Sequence, residues 1–446
     1  MKPLVAIVGR PNVGKSMLFN KLIGQRLSIV EDTPGVTRDR IYGESEWCGR
    51  KFRLVDTGGI EPRTDDQILS FMREQAEIAI QHADVIIFLT DVKTGLTASD
   101  QEVANMLLRS RKPIVLAVNK MDSTGRVDPD FYEFYNLGLG DPIAVSAVHG
   151  HGTGDLLDAC LQYFPPEDDE EEDEDVIKVA IIGKPNVGKS SLTNRILGTE
   201  RMIVSNVAGT TRDAIDSYFE NEQGKYVFID TAGMRKKSKV DDVIERYSVL
   251  RATMAIDRAD VCLIMIDAQE GVTEQDTKVA GYVHDEGKAA IIVINKWDAI
   301  EKDTGTMNEY VAKVREGLKF MQYAPVLFIS ALTGQRTNRV LETVRAVYEQ
   351  ASRRVTTGLL NDILTDAQAA LQPPATSGRR LKIYYATQQA TNPPTFVMFV
   401  NDQTLMHFSY ERYLEKQFRK AFGFEGTPLR FILRERKKDD ADGARG

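Results

Sequence analysis

Cysteine is scarce in this chain, with three residues among 446. Cys48, Cys160 and Cys262 lie at spacings that suit neither a disulfide framework nor a metal cluster, so a reducing cytoplasm is the expected setting. Long apolar runs are also missing. Nothing approaches the ~18 to 20 residues of a membrane-spanning helix, and no membrane insertion is expected. The short run Leu4 to Val8 leads straight into a glycine-rich turn and reads as a strand, not as a signal-peptide core. The net charge of -8 seems to leave little room for a nucleic-acid partner, but it is unevenly spread. Glu167 to Asp175 are nine consecutive acids, a self-repelling extended linker. From Ser352 onward, 15 basic residues face 10 acidic ones, so the global sum hides a basic C-terminal segment.

What the chain has in abundance is internal repetition. G-x-x-x-x-G-K-S occurs as Gly9, Arg10, Pro11, Asn12, Val13, Gly14, Lys15, Ser16 and again as Gly183, Lys184, Pro185, Asn186, Val187, Gly188, Lys189, Ser190. One such match arises by chance; two with matching partners do not. Asp56-Thr57-Gly58-Gly59 follows Gly9 by 47 positions, and Asp230-Thr231-Ala232-Gly233 follows Gly183 by the same 47. Asn119-Lys120-Met121-Asp122 lies 63 beyond Asp56, and Asn295-Lys296-Trp297-Asp298 lies 65 beyond Asp230. The period is far longer than that of a solenoid repeat and marks duplication of a whole domain.

In each copy, buried-strand patterns alternate with helical ones. Val5 to Val8, Phe52 to Val55, Val85 to Leu89 and Ile114 to Val118 match Val179 to Ile182, Tyr226 to Ile229, Val261 to Ile266 and Ala290 to Ile294. Helices are expected at 65–81 and 99–109. This is the pattern of an α/β fold, a doubly wound and mostly parallel sheet with ligands at the carboxyl ends of its strands. The remainder predicts a small α+β module: a helix through Leu371, strands at 381–388 and 396–401, a helix at 410–422 and a strand at 429–433. The expected divisions are residues 1–164, a linker 165–175, residues 176–350, residues 351–436 and a disordered tail 437–446.

The motifs specify a chemistry. A glycine-rich turn and helix N-terminus surround a phosphate, with Lys15 or Lys189 reaching the β- and γ-phosphates. Ser16 and Ser190 offer hydroxyls to Mg²⁺, and Asp56 and Asp230 hold it directly or through water. Gly59 and Gly233 present a backbone N–H to the γ-phosphate. An ionised aspartate accepts only, and guanine has the paired donor edge that adenine lacks, so Asp122 and Asp298 select guanine. Asn119 and Asn295 can contact the base and brace the loop, and the stems of Lys120 and Lys296 cover the ring. Ser146-Ala147 and Ser330-Ala331 are the expected final base loops. In Gly35-Val36-Thr37-Arg38-Asp39 and Gly209-Thr210-Thr211-Arg212-Asp213, the threonines Thr37 and Thr211 are placed to complete the Mg²⁺ shell and sense the γ-phosphate.

With every motif read twice and an α+β module behind them, the chain resembles the Der (EngA) family of bacterial tandem-G-domain GTPases, similar in each G domain to Era- and TrmE-type GTPases. The resemblance implies two P-loop GTPase domains followed by a KH-like domain, with GTP hydrolysed to GDP and phosphate. It also implies a cytoplasmic monomer acting in assembly of the large (50S) ribosomal subunit, with ribosomal RNA and proteins as partners. Ile60 and Met234 stand where many GTPases carry a water-orienting glutamine. Asn12 and Asn186 match the family position of a K⁺ ligand, which implies K⁺ in place of an arginine finger.

Two basic or glycine features stay open. Gly423-Phe424-Glu425-Gly426 matches the G-x-x-G clamp of RNA-binding KH domains, but it joins a helix to a strand, not two helices, and reads as a helix stop. Arg235 to Lys239 is a solvated loop or an rRNA phosphate contact. Rival functions are a nucleotide-gated scaffold in which one site binds without turnover, a tRNA-modification GTPase, for which the C-terminal cysteine and separate catalytic domain are missing, and a kinase, for which no acceptor domain is evident.

Overall fold

The structure, a computed structural model, describes residues 2–23, 42–57, 79–122, 129–166, 176–198, 216–229, 245–303, 305–376 and 379–435. It divides into two compact units, residues 1–170 and residues 171–446.

In the first unit, β1 (Leu4–Val8) leads through the phosphate-loop turn into α1 (Lys15–Ile23). Then come β2 (Tyr42–Trp47), β3 (Arg50–Asp56), β4 (Val85–Asp91), α2 (Ala98–Ser110), β5 (Ile114–Asn119), β6 (Ile143–Ala144) and α3 (Thr153–Leu161). The sheet order is β2-β3-β1-β4-β5-β6, with only the β2–β3 pair antiparallel. The central strands are apolar and buried, as strands covered on both faces must be. Val5, Ile7, Val85, Ile87 and Leu89 pack on one face against Leu18, Phe19 and Leu22 of α1 and Leu156 and Leu157 of α3.

Register brings the functional ends level. Ile7 pairs with Asp56, Val8 with Phe88 and Asp91 with Asn119. The turn after β1, the end of β3, the end of β4 and the Asn-Lys motif after β5 therefore open on one edge of the sheet, where ligands of such folds bind.

The second unit repeats the plan. β7 (Val176–Ile182), α4 (Lys189–Gly198), β8 (Ser217–Asn221), β9 (Gly224–Phe228), α5 (Glu245–Arg258), β10 (Val261–Asp267), α6 (Glu274–Asp285), β11 (Ala289–Asn295), α7 (Thr306–Gly317), β12 (Val326–Phe328) and α8 (Asn338–Ala351) follow in order. The sheet order β12-β11-β10-β7-β9-β8 mirrors the first. Its two faces bury separate clusters, one through Val179, Ile181, Leu263 and Val340 and the other through Ala180, Ile264, Ile256 and Val314. Thr97 and Thr273 begin α2 and α6 with full capping boxes, exchanging hydrogen bonds with Asp100 and Asp276.

Beyond α8 come α9 (Thr357–Ala370), a short ribbon β13 (Ala375–Thr376) and β14 (Arg379–Arg380), β15 (Ile383–Ala390), β16 (Thr395–Val400), α10 (Phe408–Phe422) and β17 (Arg430–Glu435). β15 and β16 are antiparallel, and β16 and β17 parallel. Phe396, Met398 and Val400 bury against Leu360, Leu364, Leu414 and Phe418, closing an α+β core.

The glycine pair 423–426 does join α10 to β17, and it fastens this module to the second sheet. Gly426 N donates to Tyr323 O at 2.8 Å and Gly426 O accepts from Ala290 N at 2.7 Å. Phe424 is fully buried and its N–H donates to Gln350 Oε1 at 2.8 Å. A Cβ on Gly426, whose φ is +80°, would come 2.4 Å from Val347 Cγ2. The motif is used in an internal seam between α10, β17 and the second sheet.

All three cysteines are free thiols, Cys160 and Cys262 buried and Cys48 exposed. Among the described residues no helix is long and apolar enough to cross a membrane. Most of the expected helix 65–81, the acidic run 167–175, the basic stretch 235–239 and the tail 437–446 lie outside the described residues.

Candidate functional site

The phosphate loop of the first copy sits between a buried strand and a helix that starts at its lysine. Gly14 adopts φ +100°, and a Cβ there would lie 2.4 Å from Asn119 Nδ2; Gly188, at φ +102°, would meet Asn295 Nδ2 at 2.2 Å. Gly9 and Gly183 would each drive a Cβ into a strand carbonyl, Leu89 O at 2.3 Å and Met265 O at 2.5 Å. Only glycine lets the loop lie this close to the sheet, and the result is the backbone cradle that a polyphosphate requires. Val13 and Val187 are fully buried in the cores, so they serve a ligand through their backbone alone. Asn12 and Asn186 expose their side chains at left-handed φ values of 66° and 59°.

Lys15 Nζ donates to Arg10 O at 2.8 Å, and Lys189 Nζ to Gly183 O and Lys184 O, both at 2.7 Å. Burial lowers both ammonium groups to a pKa of about 8, with Asp56 pulling Lys15 back up and Asp276 doing the same for Lys189. Ser16 Oγ donates to Asp56 Oδ2 at 2.5 Å, which places a hydroxyl and a carboxylate together at the mouth of the loop. That hard oxygen pair fits Mg²⁺, which takes few protein ligands beside water and phosphate. Ser190 begins α4 in the same way, but its partner Asp230 lies outside the described residues, as do Thr37, Gly58, Gly59, Ile60, Thr211, Thr231, Ala232, Gly233 and Met234. Thr57 is buried and its hydroxyl donates to Ile7 O at 2.9 Å, so that group braces the sheet rather than facing a ligand.

The asparagines are the keystones of both sites. Asn119 Nδ2 donates to Val13 O at 2.7 Å while Asn119 Oδ1 accepts from Ala147 N at 2.9 Å. Asn295 repeats this with Val187 O at 2.7 Å and Ala331 N at 2.9 Å. Each buried amide thus ties the phosphate loop to the base loop. The residue after it, Lys120 or Lys296, turns left-handed at φ 68° or 61°. Its ammonium lies 2.5 Å from the buried carboxylate of Asp91 or Asp267. Met121 and Trp297 point into the core, Trp297 packed on Tyr310 and Phe328, and act through backbone only. Asp122 and Asp298 are exposed at the ends of the motifs. Ser146 Oγ donates to Asp122 Oδ1 at 2.9 Å and Lys93 Nζ to Oδ2 at 2.7 Å, and these bonds hold the carboxyl below its usual range.

Comparison with known proteins fits the doubled geometry. A family described as 50S ribosome-binding GTPase matches residues 4–120 and again 178–296. Another, described as KH-domain-like of EngA bacterial GTPase enzymes, C-terminal, matches residues 354–434. GTPase Der of Acetivibrio thermocellus is 64% identical across 98% of this chain and all of its own length. The chain belongs to the GTPase Der (EngA) family. The Der of Ruminiclostridium cellulolyticum is 62% identical over the same shares. Among solved structures, Era in complex with MgGDPNP and nucleotides 1506-1542 of 16S ribosomal RNA is 25% identical, with a TM-score of 0.31, covering 58% of this chain and 93% of that one.

In this Der-family chain, sequence reasoning missed two carboxylates per site. Asp91 and Asp267 pair in register with the asparagines and anchor the neighbouring lysines; an aspartate closing an otherwise apolar strand was the available signal. Asp100 and Asp276 are buried behind the phosphate loops, and Thr-x-x-Asp at a helix start announced them. Their surroundings differ between copies. Arg10 Nε lies 3.2 Å from Asp100 Oδ1 and its guanidinium also reaches Thr94 Oγ1. Lys184, in the place of Arg10, pairs with Glu270 instead; Oδ1 of Asp100 and Oδ1 of Asp276 both lack a hydrogen-bond partner among the described residues, so the copies differ in the ion pair alone.

Proposed function

We propose that both sites bind GTP with Mg²⁺ and hydrolyse it, and that the chain acts as a switch in maturation of the large ribosomal subunit. The identical pair of hydrogen bonds made by Asn119 and by Asn295 carries the two-site part of this reading, because each ties the phosphate loop to the base loop through one buried amide. Backbone N–H groups of each loop would hold the β-phosphate, and Lys15 or Lys189 would move from loop carbonyls to phosphate oxygens, which restores the charge that burial disfavours. Ser16 with Asp56, and Ser190 with Asp230, would ligate Mg²⁺, which supplies neutralisation of the phosphate charge. Thr37 and Thr211 would join that shell, and Gly59 and Gly233 would contact the γ-phosphate.

With Ile60 and Met234 unable to orient water, the extra positive charge is assigned to K⁺ held near Asn12 and Asn186. Turnover in K⁺ and Na⁺ buffers, in wild type and Asn12→Ala plus Asn186→Ala, tests that part; equal rates throughout would reject it. The domain limits are taken as 1–164, 176–350 and 351–436, and the setting as cytoplasmic.

The ribosomal role is supported by the description of the matched family, 50S ribosome-binding GTPase. Sedimentation of the full chain with ribosomal particles, in GDP and in a non-hydrolysable GTP analogue, tests it. Association with the analogue alone is expected, and association in neither state would end the proposal. Phosphate release by Lys15→Ala and Lys189→Ala chains separates two working sites from a scaffold with one silent site.

A further inference from the structure

The two base loops share a backbone and differ in charge. Ser146 N donates to His151 O at 2.9 Å and Gly150 N to Ser146 O at 2.7 Å. In the second copy, Ser330 N donates to Gln335 O at 3.1 Å and Gly334 N to Ser330 O at 2.8 Å. This shared pattern aligns His149 with Thr333 and His151 with Gln335. Counting from the anchoring carboxylates Asp91 and Asp267 aligns Lys93 with Gln269. Three positions around the base loop are therefore lysine, histidine and histidine in the first copy, and glutamine, threonine and glutamine in the second.

The lysine is in contact with the group that reads the base. Lys93 Nζ lies 2.7 Å from Asp122 Oδ2, and the same lysine is held at the start of its turn by a bond from its N–H to Asp91 Oδ1 at 3.0 Å. On the base loop the rings of His149 and His151 lie 5.9 Å apart, and His149 N donates to Ser146 Oγ at 3.3 Å.

Guanine presents two donors, N1–H and N2–H₂, and a bare carboxylate matches both. Xanthine keeps N1–H but has a carbonyl at position 2, and its ring gives up a proton near neutral pH. A bare carboxylate repels that carbonyl. An ammonium has three donors, so a lysine fixed on one carboxylate oxygen can bond the aspartate and the 2-carbonyl together, and its charge suits an anionic ring.

We infer that the first site discriminates less strongly against xanthine nucleoside di- and triphosphates than the second, because Lys93 relaxes the selection by Asp122 where the second site has Gln269. This rests on the reading of both centres as purine-nucleotide sites. Lys93 is 61% exposed and Asp122 37%, so the effect is moderate, about fivefold in relative affinity.

The test is competition of XDP and GDP against a fluorescent GDP, in the full-length chain. A Lys189→Ala background reports on the first site and Lys15→Ala on the second. The GDP-to-XDP preference is expected to be smaller at the first site. Lys93→Gln should widen it there by about fivefold, and Gln269→Lys should narrow it at the second site by a similar factor. Equal preferences at the two sites, or a first-site preference that Lys93→Gln leaves unchanged while GDP still binds, would overturn the inference. Absence of GDP binding in the Lys189→Ala background would instead remove the nucleotide reading of the first site and this inference with it.

Discussion

Asn295 Nδ2 lies 2.7 Å from the Val187 carbonyl oxygen, across 108 residues of chain, inside a pocket that excludes water from both. Removing that amide strands Val187 O and Ala331 N without partners. Each buried unsatisfied group costs about 1–3 kcal/mol, and the cost falls on the geometry that the nucleotide needs. Asn295→Ala is expected to weaken GDP binding at the second site by at least about tenfold, while Asn119→Ala does the same at the first. Fluorescent-GDP titration in the single-site backgrounds checks this, and unchanged affinity would show that the loops hold their places unaided.

Asp267 and Lys296 form the neighbouring support. The carboxylate is buried, accepts from Gln269 N at 2.9 Å and holds the ammonium at 2.5 Å. Asp267→Asn keeps the volume and removes the charge, so Lys296 should lose its fixed orientation. Second-site GDP affinity should drop about threefold to tenfold, in line with the net ~0.5–1.5 kcal/mol of a typical hydrogen bond. First-site affinity, measured in parallel, should not move.

Gly426 predicts a stability effect with no nucleotide in it. Its φ of +80° and the 2.4 Å approach to Val347 leave no space for a methyl group. Gly426→Ala should destabilise the second unit by about 1–3 kcal/mol through strain and overpacking, read as a lower thermal midpoint and faster proteolysis near residue 352. A midpoint equal to wild type would mean that the seam can open at little cost.

His284 supplies a pH dependence at the same seam. Its ring is half-buried beside Phe320 and stacks on Tyr323, 3.0 Å from the phenol oxygen, and desolvation lowers its pKa despite the attraction of Asp285 and Glu415. The unfolded chain titrates this group near ~6.5, so below that pH the unfolded state binds a proton that the folded state resists. The stability tied to neutral His284 is fully present above pH ~6.5 and is lost as the pH falls from there through the lowered folded pKa. Thermal midpoints at pH 7.5 and 5.5 should differ more for wild type than for His284→Gln; equal differences would clear His284 of the effect.

Much of the site was legible because its chemistry is written in short, spaced motifs. Lys15, Ser16, Asp56 and Asn119 come together on one sheet edge through strand register, which apolar runs of matching length already implied. The unread part depended on partners far apart in sequence. Nothing local in Asp91 says that it will face Lys120, and nothing in Lys93 says that it will reach Asp122. Thr57 and Trp297 show the converse: both belong to a motif, yet their side chains are used by the sheet and the core. The helix-to-strand context of the G-x-x-G segment was legible in the sequence, but its bonds to Tyr323 and Ala290 required the folded second sheet.

The bond from Ala290 N to Gly426 O lies on β11, the strand whose other end carries Asn295. The two copies share one plan, but in the second the base of this strand is covered by Gly426 of the C-terminal module. The second copy cannot be excised, swapped for the first or permuted without exposing the backbone that Gly426 covers. The structural unit there is therefore not one G domain but the G domain and its C-terminal module together.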